Sequence, residues 1–489
     1  MGILNKLKWV ITLIAVLLNF FIYFYPDLLN EPGKCHWHQY SDSIGLTAKF
    51  SFLRYLPLKI YDLLLLNVPY LQDKSHDRTP SAFYDNGKVK DIRMLAFGDP
   101  QINGNWKLTK YIKRLDNYGN DYYLGHIYNV MKRRTDPTHV AVLGDLFSSQ
   151  WILDSEYYNR TYRYVERIFT RKPEYKRTAV ETYLKHEDYD WYAYMDREKA
   201  LDPLKRFNSR VYEDMYDWVN KEEKYPSLEE PLFINLTGNH DIGYSGDATW
   251  QHLARFHLLM GQNNYVINYN KGTPEEWRLI VLDSLTMEGP ALQEEFLNYT
   301  WSFVEGIQDV ENKDFKGTTI LLTHIPFYKP PGLCADEPDT RYYFNNIKTP
   351  YKNGLLRSQN HLSYETTQKI LSVVFPEGSQ NGLILTGHDH EGCDNYYNYK
   401  NGAWYPSKSV DLSSSQFPVR EITVKSMMGG FDGQSGILTG HFNYTSNNWD
   451  FSFSYCSFIV QHWWWATKIV SLVALFLHSF IYTYTKFLS

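Results

Sequence analysis

The chain has 489 residues, 43% of them hydrophobic, which suits one large globular domain or two ordinary ones and excludes a disordered polypeptide. Its 55 acidic and 50 basic residues are interspersed and leave a net charge of -5, so no basic stripe exists and nucleic acid is excluded as the main partner. The 41 Tyr, 27 Phe and 14 Trp suit membrane interfaces, sugar-binding faces and thick cores alike.

In chain order, residues 9–25 carry no charge and approach the length that crosses a bilayer, with Trp9 and Tyr25 at the edges. The residues that follow offer no small-x-small cleavage site, which favours a retained transmembrane helix over a cleaved signal. Lys6 and Lys8 predict a cytoplasmic N-terminus. Residues 26–90 form a juxtamembrane segment, and apolar residues alternating with Lys49, Arg54 and Lys59 over 44–71 suit a helix along the membrane surface or a linker packed on the domain.

A catalytic domain is expected over 91–457. Five apolar β-rich runs (IRMLAF, HVAVL, PLFINLT, TTILLT and GLILT) alternate with helix-length segments, the pattern of buried central strands in an α/β sheet. Further β-like runs at 265–269, 278–283 and 419–426 extend the sheets. Residues 154–230, rich in Tyr, Lys, Glu and Arg, predict a helical insertion that could be a lid, a substrate-recognition element or a structural excursion, and one to which cargo-sorting partners could bind. Trp463, Trp464 and Trp465 then form an aromatic belt before a second apolar helix, and the belt and helix together occupy 463–485. Two spans place both termini in the cytoplasm and the domain on the lumenal or extracellular side.

Four N-x-T sequons lie between the spans. Asn159, Asn298 and Asn443 fall in polar, aromatic-flanked stretches and are expected glycan carriers, whereas Asn235 sits in an apolar strand run. Four cysteines admit three pairings. Cys35 follows the first span and Cys456 precedes the second, which favours Cys35 with Cys456 and leaves Cys334 with Cys393.

The chemistry gathers at the ends of the strand runs: Asp99 and Gln101 in GDPQ, Asp145 in GDLF, Asn239, His240 and Asp241 in GNHD, His324 in THIP, and His388 and His390 in GHDH. Taken singly, GD is uninformative and a lone histidine is more often a satisfied core residue. GNHD and GHDH together, each after an apolar strand, supply carboxylates, an amide oxygen and imidazoles in metal-ligand numbers.

This ordered set resembles the calcineurin-like metallophosphoesterase superfamily, whose pattern is D-x-H, G-D-x-x, G-N-H-[DE], a lone His and G-H-x-H, over about residues 91–426. The resemblance implies an α/β fold, a four-layer αββα sandwich, here with one transmembrane helix at each end. It implies a first metal held by Asp99, Gln101, Asp145 and His390 and a second held by Asp145, Asn239, His324 and His388, with Asp145 bridging. His240 would assist the leaving group and Asp241 would orient it. Gln101 stands where many members have His, and an amide oxygen shifts the first site toward Mn²⁺.

Within the superfamily, DPQ, GHDH followed by GCD, and terminal anchors look most like membrane phosphodiesterases that remove ethanolamine phosphate from mannoses of glycosylphosphatidylinositol (GPI) anchors. That branch implies a Mn²⁺-dependent enzyme of the endoplasmic reticulum or early Golgi that acts on the glycan of anchored proteins and promotes their export. Glu391 and Asp394 could attract the substrate ammonium or be ordinary solvated acids. Two rival classes are a lumenal metallophosphoesterase acting on another phosphoester or a pyrophosphate, and a non-catalytic receptor that sorts GPI-anchored cargo.

Overall fold

The computed structural model describes residues 2–31, 33–38, 84–85, 88–105, 109–170, 190–197, 231–411, 413 and 417–488. The surface helix expected over 44–71 and most of the 154–230 insertion lie outside these residues.

The chain begins with α1 (Gly2–Leu29), which runs well beyond the predicted 9–25 because the polar turns at both ends stay helical. A short hairpin of β1 (Tyr84–Asp85) and β2 (Lys88–Val89) leads to β3 (Ile92–Phe97), α2 (Tyr111–Arg114), α3 (Asn120–Thr135) and β4 (His139–Val142). The described parts of the predicted insertion are α4 (Asp154–Arg163), continued by a π turn (Tyr164–Ile168), and α5 (Trp191–Arg197). Next come β5 (Leu232–Asn235), α6 (Trp250–Leu259), β6 (Tyr265–Tyr269), β7 (Trp277–Val281), α7 (Glu294–Gly306) and β8 (Thr318–Leu322). A hairpin of β9 (Thr340–Tyr342) and β10 (Leu356–Gln359) precedes α8 (Tyr364–Val374) and β11 (Gly382–Thr386). The chain closes with β12 (Cys393–Lys400), β13 (Ala403–Ser407), β14 (Val419–Thr423), β15 (Ser435–Asn443), β16 (Asn448–Cys456) and α9 (Gln461–Leu488).

Two sheets carry the domain. One has the order β16-β15-β3-β4-β5 and the other β13-β12-β14-β11-β8-β7-β6. Their central strands are parallel: β3, β4 and β5 in the first, and β7, β8, β11 and β14 in the second. Side chains alternate as a strand dictates. Met94 and Ala96 of β3, Ala141 of β4 and Ile234 of β5 meet Leu279, Ile320, Leu322, Leu383 and Leu385 of the facing sheet in one core. The intervening Leu95, Phe97, Val140 and Val142 point the other way, to Leu124, Ile127, Tyr128 and Met131 of α3, while Ile384 meets the side of α8. Because both faces are covered, the strands read as unbroken apolar runs.

The terminal helices α1 and α9 are each long and apolar enough to cross a membrane, and they pack on one another. Polar pairs register them: Asn19 Nδ2 donates to Ser471 Oγ at 2.8 Å, and Thr12 Oγ1 lies 2.9 Å from His478 Nε2. Disulfides join Cys35 to Cys456 and Cys334 to Cys393. Asn159 and Asn298 are exposed and Asn443 is half-buried. Asn235 is buried, its amide shared between the Tyr164 hydroxyl and the Met260 carbonyl.

Candidate metal centre

The five motif loops leave the C-terminal ends of β3, β4, β5, β8 and β11, and the parallel register sets those ends side by side. Four of the seven candidate ligands, Asp99, Gln101, Asp145 and His388, hold left-handed φ values of 45°, 42°, 49° and 73°. Non-glycine residues adopt that region at a cost of roughly 1–3 kcal/mol each, and such strain gathers at functional sites. The motif glycines have a steric cause: a Cβ on Gly238 would come within 1.9 Å of the Asp145 amide nitrogen, and one on Gly144 within 2.4 Å of the His324 ring.

Asp99, Asp145 and His324 each offer a ligand atom within 4.8 Å of the others, and all three are buried. The two oxygens of Asp145 face different neighbours. Oδ1 accepts from the His240 amide at 2.8 Å and lies 3.5 Å from His324 Nε2, while Oδ2 accepts from Gln101 Nε2 at 3.0 Å. His390 Nε2 lies 3.2 Å from that Gln101 nitrogen and 3.8 Å from Asp99 Oδ1. The Gln101 amide thus turns its NH₂ inward, and service as a ligand requires the amide to rotate its oxygen to the same place.

Asn239, His324 and His388 form the other half. His324 Nδ1 donates to the Leu143 carbonyl at 2.7 Å, and His388 Nε2 donates to the Gln359 carbonyl at 3.1 Å. Each ring therefore turns its remaining lone pair toward Asn239 Oδ1, at 3.1 Å from His324 Nε2 and 3.0 Å from His388 Nδ1. Burial lowers the pKa of His324, and lowers that of His388 to about 3, so both rings are neutral. With the amide oxygen so placed, three acceptors converge with no hydrogen among them, an arrangement that a cation satisfies.

The carboxylates fit a cation as well. Asp99 is fully buried, its Oδ2 accepts from the His388 amide, and its Oδ1 has no hydrogen-bond partner among the described residues. Burial and the nearby Asp145 push its pKa well up. Burial pushes Asp145 the same way, but the facing His240 side chain and the hydrogen bond from the His240 amide act against it, and Asp145 stays below the usual carboxylate range. Two buried acids this close repel unless positive charge lies between them.

One expectation needs correcting. Asp241 does not orient the His240 ring: its carboxylate accepts from the backbone amides of Gly238, Leu146 and Phe147 at 2.9, 3.1 and 3.0 Å, lacing the GNHD loop to the GDLF loop. The His240 ring instead sits 3.7 Å from Asp145 Oδ2, half exposed at the mouth of the site. Asp394 is exposed and paired with Arg420, which donates to both its oxygens at 2.9 and 2.6 Å, the situation of a solvated surface acid. Acids at this rim are Glu391, Asp336 and the buried Asp389, whose Oδ2 has no hydrogen-bond partner among the described residues.

Sequence reasoning missed several supports. The Leu143 and Gln359 carbonyls that fix the two histidine tautomers carry no side-chain signal. Phe431, edge-on to His390 with ring centres 4.9 Å apart, lies in an unremarkable GGF turn. The buried pair Lys329 and Glu421, 2.7 Å apart, closes beneath the His324 loop as Glu421 also accepts from the Phe327 amide. A lysine five residues past a candidate ligand histidine was its only sequence trace.

No protein-family model matches the chain. Protein TED1 of Saccharomyces cerevisiae is 44% identical over 491 residues, covering 96% of this chain and 97% of that protein. Metallophosphoesterase 1 of Gallus gallus is 26% identical over 186 residues, 35% of this chain and 42% of that protein. The chain belongs to the calcineurin-like metallophosphoesterases, in the branch of Protein TED1. Metallophosphoesterase 1 of Danio rerio, 23% identical over 209 residues, falls in the same group. For a metallophosphoesterase, a buried acceptor cluster is the part of the molecule expected to use divalent ions.

Proposed function

We propose that the chain is a membrane-anchored phosphodiesterase that uses two divalent ions, Mn²⁺ at best, to remove ethanolamine phosphate from a mannose of GPI anchors. In this reading the two facing sheets and their outer helices are the four-layer αββα metallophosphoesterase sandwich. Asp99, Gln101, Asp145 and His390 hold one ion, and Asp145, Asn239, His324 and His388 the other. The domain faces the lumen of the endoplasmic reticulum, where glycans on Asn159, Asn298 and Asn443 would be added.

The observation that carries the substrate reading is where the site lies relative to the terminal helices. Ser435 pairs with Cys456, and Gly436 with Ala96. The end of β16, from which α9 departs, is therefore level with the end of β3, from which Asp99 departs. The turn between them presses Phe431 on His390, and a Cβ on its Gly429 would touch Gln461, the first residue of α9. Asn30, just past α1, exchanges two hydrogen bonds with Ser457 at 3.0 Å. A site on the bilayer side of the domain suits a phosphodiester carried on a glycolipid.

Bound ions would supply an activated water and neutralise the phosphoryl oxygens. The protein's own part follows from the geometry. Asp145 faces both halves of the site with separate oxygens. His240 is the exposed ring beside it, placed to give a proton to the departing sugar oxygen. The Leu143 and Gln359 carbonyls keep the His324 and His388 lone pairs aimed inward.

The test is release of ethanolamine phosphate from a defined GPI glycan by purified full-length protein, stripped of metal and then given Mn²⁺. Wild type should release it, Asp145→Ala should not, and His240→Ala should lose about 10²–10⁴-fold in kcat. Turnover of a generic phosphodiester with no release from any mannose position would sink the substrate assignment and leave the phosphoesterase.

A further inference from the structure

Between the terminal helices and α3 lies a cavity of about 490 Å³, apart from the metal centre. It is within the range of small-ligand sites, roughly 300–1,000 Å³. Tyr23 of α1, Tyr122 and Arg133 of α3, Arg167 of the π turn, and Trp464 and Lys468 of α9 line it, and none of its described lining residues is acidic.

The charges of this cavity are poorly answered from within the protein. Among the described residues, Arg133 makes no ion pair and its buried Nε has no hydrogen-bond partner. Lys468 Nζ rests over the rings of Trp464 and Tyr23, at 5.1 and 5.8 Å from their centres, with no carboxylate in reach among the described residues. Arg167 is held 3.4 Å from Asp121, but Asp121 is already gripped through both oxygens by Arg163 at 2.7 Å. Three cations around one cavity, with less than one carboxylate between them, call for an anion.

Position says which anion. Trp463, Trp464 and Trp465 mark the head-group level of a bilayer, and Lys468 lies one turn further along α9. Below it, Ile469 and Leu472 are exposed, as are Leu17 and Phe20 on α1. Beside it, Tyr118 and Tyr122 are exposed, and Gly119 lies against the Trp465 ring, so the start of α3 sits at the same level. A ligand here would have its anionic head among cations and aromatic rings and its tails along bare apolar helix.

We propose that this cavity binds the phosphate of an anionic phospholipid, seating the start of α3 on the bilayer surface. Arg133 and Lys468 contact the phosphate oxygens, Arg167 closes over the head group from the π turn, and the acyl chains lie against α1 and α9. The lipid is structural and is not consumed. This inference does not depend on which phosphodiester the metal centre cleaves.

The experiment is native mass spectrometry of the full-length protein released from nanodiscs of phosphatidylcholine with or without phosphatidylinositol. The variants are Arg133→Gln with Lys468→Gln, and Arg133→Lys with Lys468→Arg. Wild type should retain phosphatidylinositol, the double glutamine variant should retain at least about tenfold less, and the charge-conserving variant should restore it. Equal retention by the glutamine variant overturns the site. So does wild type carrying phosphatidylcholine as readily, or inorganic phosphate displacing the lipid from it, since either removes the anionic lipid as the ligand. Loss of lipid together with a collapsed thermal transition in the glutamine variant, unrepaired by the charge-conserving one, also counts against it.

Discussion

Asp241 shows how one residue of a motif serves the site without touching its chemistry. Three backbone amides from two loops converge on its carboxylate, and those loops carry Asp145, Asn239 and His240. An Asp241→Asn change keeps the shape but turns an NH₂ toward at least one of those donors. Each buried amide left unsatisfied costs roughly 1–3 kcal/mol. We expect the variant to lower the thermal transition of the purified protein and its metal content together, whereas His240→Ala should disturb both far less, because that ring is half exposed and meets Asp145 only at 3.7 Å, beyond hydrogen-bond length. If Asp241→Asn instead melts like wild type and alters only the pH profile of turnover, as His240→Ala would, then Asp241 acts on the histidine after all.

At the scale of elements, β4 couples the sheet core to pH. Its first residue, His139, is buried between the sheets, edge-on to Tyr269 and Trp277, with Nε2 3.0 Å from the Tyr269 hydroxyl. Burial lowers its pKa to about 3, and burial likewise lowers His252 of α6 to about 3. Both lie below the unfolded value of about 6.5, so between those limits the unfolded chain binds protons that the folded one refuses. Stability is therefore full above about pH 6.5 and falls on acidification by about 1.4 kcal/mol per pH unit for each such histidine. Unfolding of the detergent-solubilised protein from pH 7 to 4.5 should show this slope, and His139→Gln should flatten it by one histidine's share. An unchanged slope would mean that His139 takes up its proton in the fold.

The same elements show what the sequence could disclose. Strands β3, β4, β5, β8 and β11 were legible because covering on both faces makes them continuous apolar runs, each stopped by a polar cluster, with a glycine opening that cluster after all but β8. Strands β12, β13, β15 and β16 passed unrecognised. β12 and β13 form a tyrosine- and asparagine-rich antiparallel edge, and β16 is partly exposed along most of its length, so neither apolar runs nor clean alternation mark them. At the site the side-chain donors were visible as motifs, while the carbonyls that aim His324 and His388 could not be, since any residue type supplies one.

For the whole molecule, the unmarked strands matter most, because β15 and β16 carry the chain from the edge of the candidate metal centre to α9. The domain is also held to α1 along its flank. Arg134 of α3, almost wholly buried, clasps both oxygens of Asp27, and the Trp37 indole donates to the Thr135 carbonyl. If this clasp fixes the height and tilt of the site over the membrane, then Asp27→Ala should do more than destabilise. It leaves a buried guanidinium short of its anion, at a cost on the order of 1–3 kcal/mol given that Asp27 is partly exposed. It also frees the domain to rock on α9 and on the Cys35–Cys456 bridge. Turnover of a membrane-embedded glycolipid should then fall several-fold while turnover of a soluble phosphodiester by the same preparation holds. A soluble diester needs the metal centre alone, and a lipid-borne one needs the centre at the right height. Equal loss on both substrates would reduce the clasp to a matter of stability, and no loss on either would show that β16 and α9 suffice to place the site.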